Sequence, residues 1–248
     1  MKVLDCESIE STYSSLESIL GLCKNEVQRF FNCVDVYESG PENPPKYLLS
    51  YIQEKTSCKT DFDASYWYHA TRTWPDNNFN EGLLPLSQAF GKILGFLSGL
   101  IKNELTSQEL RNSVFSNRSY SAELLRMKLL DPKIHGGPYG FLIREMAFVH
   151  NSAYVDYFAS PESVEDICRS CDKVNLTELY ESKTVPCVVK FIDMQTSLNA
   201  LDTALLYAYH SHHGLPLDEC EDWLTRCFNG HGVPVPKENI VKIEFCPR

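Results

Sequence analysis

Apolar residues recur at helical spacing through the first part of the chain. Leu16, Ile19, Leu20, Cys23, Val27, Phe30 and Phe31 predict helix over about residues 8–35, which ESGPENPP stops before a shorter helix in KYLLSYIQEK. The period then changes to two. SYWYHATRT, residues 65–73, predicts a strand with Trp67, His69 and Thr71 on one side and Tyr68 and Ala70 on the other. After the polar loop WPDNNFNEG, the stripe Leu86, Phe90, Ile93, Leu94, Leu97, Leu100 and Ile101 predicts a helix that faces the core. SQELRNSVF and SAELLRMKLL predict two more helices, and GGPYGFLIREMAFV a turn opening into a strand. VPCVVKFIDM and NIVKIEFC read as strands on either side of a helix in LNALDTALLYAYH. Helices and strands mix without βαβ alternation, and no glycine-rich dinucleotide fingerprint follows a strand, so the expected class is α+β.

Composition narrows the picture modestly. At 248 residues and 43% hydrophobic content, the chain is long and apolar enough for a sizeable core. Its net charge of −10 means that any nucleic-acid contact must come from a local basic patch. The acidic N-terminus lacks the apolar core of a signal peptide, and no run of 18 apolar residues occurs, so a cytoplasmic protein without membrane contact is expected. In such a reducing compartment the ten cysteines are expected to be thiols.

Three motifs, in order, carry a resemblance. Tyr68-His69-Ala70-Thr71 precedes a loop and Glu81-Gly82-Leu83; His135-Gly136-Gly137-Pro138-Tyr139-Gly140-Phe141 follows; VPVPKENIVKIEF closes the chain. Together they resemble the ADP-ribosyltransferase fold, in the histidine-tyrosine branch of diphtheria toxin and the poly-ADP-ribose polymerases. The resemblance implies a split β-sheet core over residues 61–248, with residues 1–60 as a helical N-terminal extension. It implies NAD as substrate, with His69 on a ribose hydroxyl and Tyr139 stacked on nicotinamide. Ala70 stands where the family has glycine and leaves room beside the ligand, with Thr71 next to it. Arg72, three residues beyond His69, becomes the expected pyrophosphate partner, since guanidinium binds phosphate oxygens bidentately. The acceptor would be a macromolecule, protein or nucleic acid. Stand-alone proteins of this fold include bacterial toxins and phage-defence effectors, which adds a regulatory or antitoxin protein as an expected partner.

One position departs from the pattern. Where the family carries a catalytic glutamate, before the closing turn, this chain reads Cys227-Phe228-Asn229-Gly230-His231-Gly232-Val233, with no carboxylate; Glu219, Glu221 and Asp222 lie upstream and Glu238 within the turn. Cleavage of the nicotinamide bond passes through an oxocarbenium-like state whose charge must be offset. His231 or Asn229 is therefore the candidate for that place. The same gap leaves open a catalytically silent module that binds NAD, ADP-ribose or a protein partner. A third reading joins Cys168 and Cys171 to His210, His212 and His213 as a zinc site, against the plainer one of helical free thiols. Arg144 and Glu145 are expected on opposite faces of a strand.

Overall fold

The computed structural model describes residues 1–38, 48–102, 104–148, 159–171, 175–217 and 221–246; most of the ESGPENPP stop, Glu219 and Cys220 lie outside these. In chain order the elements are β1 (Val3–Leu4), α1 (Ile9–Leu20), α2 (Lys24–Phe31), α3 (Leu48–Lys55), β2 (Ala64–Thr73), α4 (Leu86–Leu100) and α5 (Ser107–Ser116). Then come α6 (Tyr120–Leu130), α7 (Pro132–His135), β3 (Tyr139–Phe141), α8 (Glu162–Ser170) and α9 (Leu176–Lys183). β4 (Val185–Asp193), α10 (Leu198–His213), α11 (Glu221–Leu224), β5 (Cys227–Asn229) and β6 (Ile240–Phe245) complete the set. The fold is α+β, as expected, with an open sheet in the order β5-β3-β2-β4-β6 and β1 beside β2. β1 runs parallel to β2 with Val3 opposite Ala64, and β2 runs antiparallel to β3 with Tyr68 opposite Phe141. Among the described residues no helix is long and apolar enough to cross a membrane.

The chain forms two compact units, and neither is a continuous stretch. The first comprises Met1–Tyr68, Gly140–Val149 and Phe191–Phe228. Residues 1–60 thus group with later segments, and they open with a strand that two residues are too few to announce. The single helix expected over 8–35 is two. Ser8 and Ser11 cap the first reciprocally, and Gly21, at φ 70° in the left-handed region, ends it. α10 packs against α1, α2 and α3, and its small and apolar residues Ala200, Leu201, Ala204, Leu205 and Ala208 are fully buried. β3 is only three residues long. Arg144 and Glu145 sit in a 3₁₀ turn, not a strand, because the backbone leaves the ladder after Phe141: Leu142 N–H donates to Arg226 O and Arg144 N–H to Cys6 O.

The second unit comprises His69–Tyr139, His150–Lys190 and Asn229–Arg248. Its core joins Phe90, Leu94 and Leu97 of α4 to Leu110 and Val114 of α5, Leu125 of α6, and Val164 and Ile167 of α8. The α4 stripe is core, as its spacing predicts. The closing segment is held by reciprocal main-chain bonds between Leu83 and Val235. Gly82 makes that contact feasible: at φ 78°, a Cβ there would fall 2.0 Å from the Val235 carbonyl oxygen.

The three α10 histidines belong to the first unit's structure. Buried His210 lies 2.6 Å from the Tyr37 hydroxyl through Nε2 and 3.3 Å from the Pro216 carbonyl through Nδ1. His212 Nε2 is 2.9 Å from Asn32 Oδ1, and His213 Nε2 donates to Phe31 O. Burial lowers the His210 pKa from 6.5, opposed by the Pro216 carbonyl and assisted by His213. A folded value below the unfolded one means that protons bind the unfolded chain more readily. The contribution to stability is therefore whole above about pH 6.5 and is lost as pH falls through the lowered folded value. Urea midpoints measured from pH 8 to 5 should fall on the acid side, and His210→Gln should flatten that fall; an equally steep fall in the variant assigns it to other groups.

Candidate functional site

His69 projects from the central strand on the side it shares with Thr71, and both are half-buried; Ala70, on the opposite side, is buried. Its Nδ1 lies 2.6 Å from the Tyr139 carbonyl oxygen. A carbonyl only accepts, so Nδ1 carries the proton and Nε2 of the neutral ring holds a lone pair. Burial lowers the His69 pKa and the Tyr139 carbonyl partly opposes this, so the ring is neutral at pH 7. Nε2 has no protein partner among the described residues. The bond also ties together two residues 70 positions apart. Tyr139 is 41% exposed, with its ring close enough to Gly137 that a Cβ there would come within 3.0 Å of it.

The FNGHG loop is laced to the same segment. Gly230 N–H donates to Pro138 O and Gly232 N–H to Gly137 O, each at 2.9 Å. A side chain at Gly230 would meet Pro138 Cδ at 2.7 Å, so glycine permits the approach. Asn229 is occupied at both ends of its amide: Nδ2 donates to Ile134 O at 3.1 Å, and Oδ1 accepts from His231 N–H at 2.9 Å. It shapes the turn. His231 stands at φ 52°, a conformation rare for a non-glycine residue, with Nδ1 donating to Lys133 O at 2.8 Å. As in His69, Nδ1 is the ring nitrogen that meets a carbonyl, and the His231 ring is exposed. The structure therefore brings His69, Tyr139, Asn229 and His231 to one segment, residues 133–139, within the second unit. No carboxylate lies in the loop itself.

Arg72 lies elsewhere. Strand alternation sets it on the side opposite His69, where its side chain is buried. Nε donates to Thr184 Oγ1 at 3.0 Å, and Nη2 to the carbonyls of Glu181 at 2.8 Å and Thr184 at 2.7 Å. The guanidinium thus completes the C-terminus of α9, a cation at the negative end of a helix. Tyr180 O–H returns a bond to the Arg72 carbonyl at 3.1 Å. The cleft of about 470 Å³ that Arg72 borders is also lined by Glu178 and Glu181, which suits no pyrophosphate. The expected phosphate contact is corrected to a structural brace.

Among the described residues, no group of three or more His, Cys, Asp or Glu side chains could hold a metal ion. Burial pushes the Cys168 thiol up to about 11, so it is protonated, and Cys171 caps the end of α8 half-buried. These are free thiols, and the α10 histidines already have partners. No protein-family model, no curated protein and no solved structure matches the chain.

Proposed function

We propose that the protein is an NAD-dependent ADP-ribosyltransferase with a split-sheet core, acting on a macromolecular acceptor. The observation that carries this reading is the His69–Tyr139 bond. It leaves a neutral imidazole acceptor suited to a ribose hydroxyl on the same bond as Tyr139, an exposed residue whose aromatic ring is of the type that stacks on a pyridinium. In the reaction, the bond between the nicotinamide nitrogen and the ribose anomeric carbon breaks, and its electron pair leaves with neutral nicotinamide. The acceptor's oxygen or nitrogen bonds to that carbon, and its proton passes to His231 Nε2. Asn229 cannot take up a proton at neutral pH, and both ends of its amide hold the turn. A general base supplies about 10²–10⁴-fold, so His231→Gln should lower the transfer rate about a hundredfold at saturating NAD while changing KM little. A change below about threefold removes His231 from the chemistry.

The test of the whole reading is incubation with NAD labelled in its adenylate half, following nicotinamide release and label on protein, RNA or DNA. Release with transfer supports it. Neither, at any acceptor, rejects it. A second reading, a silent module that binds NAD or ADP-ribose, is favoured by the absence of a carboxylate from residues 229–233. Calorimetric binding without turnover would select it.

A further inference from the structure

The outer face of α6 is apolar where a solvated helix is polar. Ala122 and Leu125 are buried on one side, while Tyr120 is 75% exposed, Met127 47% and Leu130 76% on the other, with Glu123 between them. The positions 120, 123, 127 and 130 form one stripe at helical spacing, and Ile134, 58% exposed, continues it in α7.

We infer that α6 is a self-association surface, on which a second copy of the chain packs antiparallel about a two-fold axis that passes between Glu123 and Met127, level with residue 125 along the helix. The stripe reads alike in both directions from that point. Tyr120 lies five residues before it and Leu130 five after, so each apolar end meets the other kind on the second copy. Glu123 comes opposite Met127 of the second copy and within one residue, about 1.5 Å along the axis, of its Arg126. Arg126 Nη1 is bound to the carbonyls of Val114 and Asn117, which sets the guanidinium beside the stripe. Arg118, ahead of the helix start, comes within one residue of Asp131 at the far helix end, and the two helix dipoles oppose. A parallel arrangement would instead set Glu123 against Glu123 and Tyr120 against Tyr120. The exposed apolar side chains amount to roughly 500 Å² per copy, less than the roughly 800 Å² of a standard interface. The dimer should accordingly be weak, with Kd on the order of 10–100 μM.

Sedimentation equilibrium of the full chain from 1 μM to 1 mM tests this. The mass should rise from 28.3 kDa towards twice that value. Leu130→Asp should hold it at the monomer, Glu123→Arg should weaken association at least tenfold, and Glu123→Arg with Arg126→Glu should restore it. Far-UV circular dichroism checks that each variant is folded. A monomer throughout, association that Leu130→Asp leaves intact, growth beyond a dimer, or failure of the charge exchange to rescue overturns the inference.

Discussion

His69→Ala is expected to lower NAD-dependent label transfer by at least about a hundredfold, the scale of losing one preorganised polar contact to the reacting group. The variant deletes Nε2, the acceptor for the ribose hydroxyl in the proposed reading, and leaves the Tyr139 carbonyl without its donor. That carbonyl lies beside a half-buried site that water can reach, so the thermal midpoint should fall only slightly. The wild-type pH profile carries the same signature. As pH falls through the lowered His69 value, Nε2 takes a proton and can no longer accept, so transfer declines on the acid side. A His69→Ala protein that transfers label within threefold of wild type would sink the assignment.

Arg72→Met should destabilise the protein by about 3 kcal/mol, because at least three donated bonds vanish and one buried and one part-buried main-chain carbonyl lose a charged partner. Lysine should rescue little of this, since one ammonium cannot span Thr184 Oγ1 and both carbonyls as the planar fork does. Urea denaturation measures the loss as a lowered midpoint. A phosphate-binding arginine predicts the reverse pattern: an unchanged midpoint and a raised KM for NAD.

Long elements were legible from their apolar and helix-forming runs. α4 lies where its apolar spacing puts it, α6 and α10 where unbroken runs of helix-forming residues do, and the aromatic run from Tyr66 to Tyr68 marks β2 within a residue at its start. β1 and β5, of two and three residues, are too short to display a period and are defined by their partners. Arg144 was misplaced for a related reason: an apolar run cannot reveal that the backbone turns away to bond Cys6, far off in sequence. For Arg72 the signal was present. The alternation that groups His69 with Thr71 also separates it from Arg72, and phosphate affinity is a property that any buried brace of this type shares. That Asn229 and His231 both bond back to residues 133–134 needed coordinates, because either side chain can hydrogen-bond and the sequence does not say to what.

The interrupted make-up of the two units constrains how the chain can acquire structure during synthesis. The first unit needs Phe191–Phe228 beside Met1–Tyr68, and the second needs Asn229–Arg248 beside His69–Tyr139. The apolar face of α1 must therefore wait for α10, whereas the partners of α4 in α5, α6 and α8 have all been made by residue 170. Nascent chains stalled at residue 190 should accordingly remain sensitive to protease in residues 1–60, and a lower temperature during expression should raise the yield of folded protein more than added promoter strength.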